Sequence, residues 1–229
     1  MKRFLFVALI FMMAFTVVFA QEAGTFSAGV RGGIGIGFND FTSDMRDLIE
    51  DVFETKNYKV ESMLHPVIAA YGYYTFAPNM AVQFEANFMI NQGIKAVYSE
   101  SIYDLSWDFM YMSLDIPVMF RYTFLNAPVS VGLLAGPYIS IPISQLETGM
   151  TIKWGGVDMG SIPVDKLDME GFGFGATAGV FVGYPLGPGS IIGDLRFLFD
   201  FVHPKLKGAT DPFMNRRALN ITVGYEMTF

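Results

Sequence analysis

The sequence predicts an all-β fold, an eight-stranded antiparallel transmembrane up-and-down β-barrel with a short helix in its first extracellular loop. Apolar and polar residues alternate with period two in several stretches, as in strands with one apolar and one polar face. Short and long connections also alternate along the chain, as in bacterial outer-membrane barrels. Finally, 52% of the residues are hydrophobic, yet beyond the N-terminus Gly, Pro or a charge interrupts every apolar run before it reaches the length of a membrane-spanning helix. In lipid, only helices and closed barrels satisfy the backbone, so the pattern favours a barrel.

The last stretch, residues 218–229, shows the alternation most clearly. Its apolar positions are Leu219, Ile221, Val223, Tyr225, Met227 and Phe229. The polar positions between them are Asn220, Thr222, Gly224, Glu226 and Thr228. A soluble sandwich could bury the apolar row in its core, whereas a transmembrane barrel would turn that row to lipid and the polar row to the lumen.

The N-terminus predicts a cleaved secretory signal peptide over residues 1–20. Lys2 and Arg3 precede an uncharged run that ends at Ala20, with small residues at the positions that cleavage requires. The alternative is an uncleaved anchor, because the run is long enough to span a bilayer. Residues 21–229 would then form a single barrel domain. The chain has no cysteine, which excludes an N-terminal lipid anchor on cysteine, disulfides and thiolate metal sites.

Seven more stretches read as strands and precede the closing one. They span residues 25–38, 62–76, 80–91, 107–124, 129–143, 171–184 and 191–202, and the faces of the second are ambiguous. Three of their connections are short and rich in turn residues. The four long ones are residues 39–61, 92–106, 144–170 and 203–215. Their strict alternation places every short turn and both termini at one end, as in barrels with short periplasmic turns.

The first long loop predicts a helix that Thr42 and Ser43 can cap. Apolar residues follow at helical spacing: Met45, Leu48, Ile49, Val52 and Phe53. Outside the membrane such a stripe needs cover, so we expect the helix to pack over the barrel mouth or against the third long loop. A helix that binds a partner is the alternative. The third long loop can form a hairpin around Gly155 and Gly156, with strands at 150–154 and 157–162.

Charged residues lie on the polar faces and predict a charge network in the lumen. Its members are Arg31, Glu85, Asp115, Arg121, Asp194, Arg196, Asp200 and Glu226. Buried charges persist only when paired and hydrogen-bonded, and an eight-stranded barrel has an interior that side chains can just fill. We therefore expect a lumen closed by ion pairs, with a narrow or gated polar path as the alternative. Glycines on the inner faces of the first and sixth strands leave room for that path, or for the inward side chains of Met89, Tyr111, Met119, Tyr138 and Phe181.

The sequence indicates neither a cofactor nor a metal site. His65 and His203 lie near loop ends without metal-ligand spacing. The only candidate acid–base group is His203 with Asp200 or Asp211, so a lipid-modifying enzyme is a remote alternative and we expect no enzyme. The formal net charge of −7 becomes −9 without Lys2 and Arg3, and no basic cluster is present. These charges argue against nucleic-acid binding.

Residues 114–124 (LDIPVMFRYTF) and 129–142 (VSVGLLAGPYISIP) resemble the PorT-like outer-membrane β-barrel proteins, small barrels of the OmpA/OmpX kind. In that family a strand with a carboxylate-Ile-Pro and a basic-Tyr segment leads through a turn to a Gly-Pro-Tyr strand. The closing strand, with Tyr225 and Phe229, looks like the assembly signal that the outer-membrane insertion machinery reads. The resemblance implies the fold and no particular role, because related barrels serve secretion, adhesion, transport and membrane structure.

Together these features predict a monomeric barrel in the outer membrane of a diderm bacterium, surrounded by lipid and assembled by the insertion machinery. One function is structural or surface-interacting, with the acidic outer loops meeting an extracellular partner. The alternative is a small pore or conduit for small solutes, gated by Arg31, Arg121, Arg196 and the facing carboxylates.

Overall fold

The computed structural model describes residues 24–55, 57–100, 102–126 and 129–229. The predicted signal peptide, residues 1–20, lies outside the described residues. Fifteen strands and one helix occur in the described part: β1 (Phe26–Gly37), β2 (Asp40–Phe41), α1 (Ser43–Phe53), β3 (Lys59–Glu61), β4 (Met63–Ala77), β5 (Met80–Ser99), β6 (Tyr103–Asn126), β7 (Ser130–Pro142), β8 (Leu146–Trp154), β9 (Val157–Leu167), β10 (Met169–Glu170), β11 (Gly173–Leu186), β12 (Gly189–Val202), β13 (Lys205–Leu206), β14 (Met214–Asn215) and β15 (Arg217–Thr228).

Eight of these described strands close into an antiparallel barrel, in the order β1, β4, β5, β6, β7, β11, β12 and β15. Closure comes from β15, which pairs with β12 on one side and with β1 on the other. The predicted alternation of faces is confirmed in the closing strand, where Ile221 is 45% exposed and its neighbour Thr222 is 2% exposed. The apolar rows therefore form the outer wall and the polar rows form the lumen.

The ambiguous second strand, β4, turns its odd-numbered residues inward. Tyr71 and Val67 are buried, whereas Leu64 and Ile68 are among the most exposed apolar residues. The pairing of Tyr71 with Glu85 on β5 places the tyrosine ring in the polar interior. The face of this strand follows from its neighbours in the sheet, since its own sequence is apolar on both sides.

The second long connection is mostly strand, which corrects the prediction of a loop over residues 92–106. A β-bulge interrupts the pairing of β5 with β6 between Met89 and Gln92. Asn91 lies in this bulge with a φ of 55°, and its side chain is exposed, although the alternation of the strand predicted it on the inner face. Because a bulge adds one residue, even-numbered positions such as Ile94 then point inward, and the two strands continue past the barrel rim.

The third long loop forms the expected hairpin, and its strands β8 and β9 are longer than predicted. Gly155 and Gly156 both have positive φ at its turn, +56° and +82°, as a two-residue hairpin turn of type I′ requires. β8 also pairs with the upper part of β6, and β3 pairs with the upper part of β5. One sheet thus projects from the long-loop end of the barrel, and we call it the outer sheet. Among the described strands it consists of β3, β5, β6, β8 and β9.

Helix α1 and the fourth long loop cover the barrel mouth, as predicted for the helix. Its Ile49 and Phe53 are buried in an apolar cluster with Phe41, Ile94, Ala96, Phe109, Tyr111, Leu146, Phe213 and Met214, and Met45 packs against that cluster. Leu48 and Val52 remain 48% and 43% exposed, so the stripe that the sequence predicted is only partly covered. The buried positions recur every four residues along one side of the helix, which is the side facing the mouth.

Thr42 occupies the N-cap of α1, but its side chain does not cap the helix. Its hydroxyl donates to the Pro212 carbonyl oxygen at 2.8 Å, which ties the helix start to the fourth long loop.

Two short strand pairs, β2 with β14 and β10 with β13, join the long loops to one another. Asp168 lies beside the second pair, where a hydrogen bond from Gln145 and then the ammonium of Lys207 lower the pKa of its carboxyl group.

In the part of the chain that the structure describes, no helix has the length and apolarity needed to cross a membrane.

Candidate functional site

The lumen carries the charge network that the sequence predicted, and all eight predicted members are buried. Among the described residues, the buried charged side chains on the inner wall are four arginines and five carboxylates: Arg31, Arg121, Arg196, Arg216, Glu85, Asp115, Asp194, Asp200 and Glu226. They come from β1, β5, β6, β12 and β15 and from the residue before β15, so the network ties strands from around the barrel. Its members divide into three groups along the axis.

The central group is a closed ring of two arginines and two carboxylates. Glu85 contacts Arg31 at 2.5 Å and Arg196 at 2.7 Å. Asp194 contacts the same two guanidinium groups, at 3.1 Å and 3.0 Å. Each charge in this quartet therefore faces two opposite charges, which is the arrangement that offsets the cost of removing them from water. Asn87 accepts a further hydrogen bond from Arg31 at 3.2 Å.

Toward the short-turn end, Arg121 pairs with Glu226 at 3.4 Å and stacks on the Phe181 ring, 3.9 Å from its centroid. The hydroxyl groups of Tyr71 and Tyr73 donate to the same carboxylate, at 3.1 Å and 3.0 Å. Below this pair a cavity of about 280 Å³ opens at the short-turn end. Its wall includes hydroxyl side chains from five strands: Ser27, Thr75, Thr123, Ser190 and Thr228. We call this cavity the vestibule.

Toward the long loops, the third group is centred on Arg216. Its guanidinium contacts both Asp115 and, at 3.8 Å, Asp200, and it donates to the Ser140 hydroxyl at 2.9 Å. The Tyr138 hydroxyl donates to Asp200 as well. Arg216 is 2% exposed, and it neutralises the two carboxylates that the other arginines do not reach.

Sequence reasoning does not find Arg216, because the pattern indicates a loop over residues 203–215 and a closing strand that begins at Ala218. The alternation of that strand contained the signal. Asn220 and Ala218 are inward positions, and the same period extended by two residues places Arg216 inward.

Among the described residues, side chains fill the lumen between the groups. The cavity beside the central quartet measures about 10 Å³, roughly the space of one water molecule. Glycines on the wall make this filling possible, which is one of the two alternatives that the sequence left open for the inner glycines. A Cβ atom at Gly175 would lie 2.8 Å from the Tyr138 ring, and one at Gly132 would lie 2.5 Å from the Phe181 ring. The inner glycines therefore accommodate large inward side chains instead of leaving a path.

His203, the candidate acid–base residue, belongs to the Arg216 group. Its Nδ1 lies 3.6 Å from the Asp200 carboxylate and accepts a hydrogen bond of 3.4 Å from the Arg216 backbone N–H. Asp200 is already engaged by Tyr138 and Arg216. Ser190 lines the vestibule at the other end of β12, so the structure does not bring it to His203. Within the described ranges, no three His, Asp or Glu side chains are grouped as a metal site would require.

Residues 19–202 match a family model described as outer membrane protein beta-barrel domain. The chain belongs to this family. No curated protein sequence matches the chain.

Solved structures of other outer-membrane proteins resemble this outer-membrane barrel. A major outer membrane protein from Thermus thermophilus is 14% identical, with 91% of this chain and 100% of that chain covered and a TM-score of 0.50. Neisserial surface protein A is 13% identical, with 90% of this chain and 98% of that chain covered and a TM-score of 0.48. OprG from Pseudomonas aeruginosa is 10% identical, covering 90% and 97% at 0.46. The likeness to the Thermus protein concerns the fold alone.

This outer-membrane barrel thus has lipid around its apolar outer wall, and its short turns correspond to the periplasmic side of such barrels. The long loops, α1 and the outer sheet correspond to the extracellular side.

Proposed function

We propose that this outer-membrane barrel is a structural or surface-interacting protein whose lumen is closed by charge pairs. The observation that carries the proposal is the central quartet, which fills the lumen and leaves about 10 Å³ beside it. Above it, α1 and the fourth long loop bury an apolar cluster over the mouth. To pass through the lumen, a solute would have to displace both the quartet and this apolar cluster. Removing one partner of a buried ion pair alone costs about 3–5 kcal/mol.

The working surface in this proposal is the outer sheet with the long loops. These segments place the strands β3, β8 and β9 beyond the eight barrel strands. A barrel that only needed to close would not require them. Exposed apolar side chains on this sheet, among them Trp154 and Val157, support a role in binding, since large exposed apolar patches mark interaction sites.

The experiment is conductance of the refolded mature barrel in a planar bilayer, with wild type beside Arg121→Ala. We expect both to be silent, because Arg121 lies on the vestibule side of a quartet that remains intact. Arg217→Ala, at an arginine outside the lumen, is the matched control. Discrete steps in wild type whose size or ion preference changes in Arg121→Ala would contradict the proposal. Heat-dependent gel mobility establishes that each sample is folded.

A small pore or conduit is the second candidate, and the vestibule is the observation that favours it. The cavity of about 280 Å³ reaches Arg121 and Glu226 from the periplasmic end, so a solute could enter that far. The same conductance measurement decides between the two functions.

Several narrower assignments are part of the proposal. We place the chain with the PorT-like barrels on the motif of residues 114–124 and 129–142, and we treat residues 1–20 as a cleaved signal peptide. The protein would act as a monomer without catalytic activity or nucleic-acid binding. For assembly, Tyr225 and Phe229 would be read by the insertion machinery; both lie at the periplasmic end, where the Phe229 ring stacks near Phe26.

A further inference from the structure

The outer sheet has an apolar face that is uncovered above α1. It is formed by Tyr103 on β6, Ile152 and Trp154 on β8, and three residues of β9, Val157, Met159 and Ile162; we call this set the platform. Trp154, Val157, Met159 and Ile162 are between 56% and 68% exposed. The pairings of Tyr103 with Trp154 and of Trp154 with Val157 put these three side chains on one face, because opposite residues share a face. Ile162 joins the same face through its pairing with Met150, the partner of Trp107, and Met159 follows Val157 by two residues on the strand. The Tyr103 and Trp154 rings are stacked with their planes nearly parallel, at an angle of 12°.

The register of β6 shows which way the platform faces. Odd-numbered residues of this strand point into the lumen at Tyr111 and continue upward through Phe109 to Tyr103. Even-numbered residues face lipid lower down and continue upward as Asp108 and Asp104. The platform is therefore the upward continuation of the lumen wall and looks over the mouth, away from the surrounding bilayer.

The opposite face of the outer sheet is polar, as expected for a surface in water. Lys95 pairs with Asp108 at 3.3 Å, and Lys166 pairs with Glu147 at 2.6 Å. The continuation of the lipid-facing wall above the membrane is thus charged. Lipid is for this reason not the occupant of the platform, whose apolar side chains point the other way.

Helix α1 lies on the platform side of the sheet and makes that side acidic. Its Phe53 ring stacks on Tyr98, which in turn contacts Tyr103. The exposed side of the helix carries acidic residues: Asp44, Asp47, Asp51 and the C-cap residue Glu54. The one basic residue in α1, Arg46, is already paired with Asp40 at 2.5 Å. Within the described residues, no ion pair neutralises Asp47, Asp51 or Glu54.

These charges decide whether a second copy of the chain or a basic partner can occupy the platform. A second copy of the chain would bring one acidic helix side against another, and like charges across an interface cost several kcal/mol. A basic partner is attracted instead. Leu48 and Val52 lie between the buried stripe and the acidic side of α1, so apolar and acidic groups adjoin on the helix as well.

We propose that the platform and the exposed side of α1 bind a cationic amphipathic peptide segment of another molecule. Its apolar side covers Trp154, Val157 and Ile162, and its Lys or Arg side chains meet the carboxylates of α1. This inference rests on the proposed surface-interaction function and specifies the chemistry of the partner.

The test uses the full barrel in nanodiscs of zwitterionic lipid, with empty nanodiscs as the blank. The probe is a fluorescently labelled model helix of Leu and Lys with one apolar side, beside an analogue with Glu at every Lys position. Anisotropy should show saturable binding of the Lys peptide that weakens with added salt. The Glu analogue should bind at least about tenfold more weakly. Binding equal to the blank, or equal binding of both peptides, would overturn the inference.

Two variants separate the contributions. Replacing Trp154, Val157 and Ile162 together by Ser should weaken the affinity for the Lys peptide by about tenfold or more, since each substitution removes exposed apolar contact area. Asp47→Asn with Asp51→Asn should weaken binding at low salt and flatten its salt dependence. The matched control is Lys153→Ser with Asp158→Ser, on the polar face of the same hairpin, which should leave the affinity unchanged. An unchanged affinity in the Ser triple variant would refute the platform as the site.

The two proposals fail in different measurements. A barrel that is silent in planar bilayers and does not bind the peptide contradicts this inference and leaves the closed-lumen function standing. A wild-type barrel that conducts contradicts the function itself.

Discussion

At the scale of single residues, the lumen depends on side chains that each satisfy more than one opposite charge. Glu85 is fully buried and receives hydrogen bonds from Arg31 and Arg196. Without Glu85 the two arginines would share the single carboxylate of Asp194, and a buried cation that is not fully compensated costs far more than an exposed one. A pair with similar geometry on the surface offers a direct comparison, since Lys166 contacts Glu147 at 2.6 Å with both side chains more than half exposed.

We predict that Glu85→Gln lowers the free energy of unfolding by about 3–5 kcal/mol, because it leaves two buried guanidinium groups with one carboxylate. The matched control, Glu147→Gln, should change that free energy by less than about 1 kcal/mol, as exposed ion pairs do. Urea unfolding followed by tryptophan fluorescence and by gel mobility measures both. An equal change in the free energy of unfolding for both substitutions would show that the quartet stabilises the barrel no more than an exposed ion pair does.

A second prediction concerns Arg216, which holds Asp115 and Asp200 at the long-loop end. Arg216→Met should destabilise the barrel by about 3–5 kcal/mol, since two carboxylates are then buried without their cation. Adding Asp115→Asn to Arg216→Met should recover part of the lost free energy of unfolding, because one of the two unpaired buried carboxylates is removed. A double-mutant cycle with Asp115→Asn alone measures the coupling. Additive effects would show that the two residues do not depend on each other.

At the scale of elements, α1 docks on the barrel mouth through its apolar side. Ile49 is fully buried in the mouth cluster, whereas Leu48, the residue before it, is about half exposed. The fourth long loop takes part in the same docking through the Thr42–Pro212 hydrogen bond and the pairing of β2 with β14. These loops therefore behave as one cover, and its stability can be probed at the helix.

We predict that Ile49→Ala opens this cover locally while the barrel stays folded. The substitution removes buried apolar contacts worth about 2–5 kcal/mol, whereas Leu48→Ala should cost less than about 0.5 kcal/mol. Limited trypsin digestion reports the difference, because Arg46 lies inside α1 and becomes cleavable when the helix undocks. Faster cleavage in Ile49→Ala than in wild type and Leu48→Ala is the expected result. Identical rates in all three proteins would mean that the helix is not held by its buried side.

The elements also show where sequence reasoning was sufficient and where it was not. The eight barrel strands, the helix and the Gly155–Gly156 hairpin were predicted because local periodicity and turn chemistry specify them. The upper halves of β5 and β6 were not, because the bulge at Asn91 shifts the period and the strands above it face a cluster rather than lipid. The helix stripe was predicted too wide, since which apolar residues become buried depends on what packs against them.

At the scale of the whole molecule, the barrel divides into a lipid-surrounded wall, a charge-filled interior and an extracellular superstructure. The buried ion pairs that close the lumen also tie together strands from around the barrel. The superstructure shares a continuous sheet with the barrel through β5 and β6. Strand pairing through β6 and β8 consequently places its platform above the mouth, which suits the proposed recognition of a partner.

The sequence by itself determined the barrel, its strand count, the direction of most faces and eight of the nine charges in the lumen. Period-two alternation is a local property, and a closed sheet converts it directly into an inside and an outside. Only the tertiary structure decided which charges pair, that Arg216 completes the network, and that the outer sheet turns an apolar face over the mouth. Those features depend on the register between strands and on packing between loops that are distant in sequence, which no local pattern encodes.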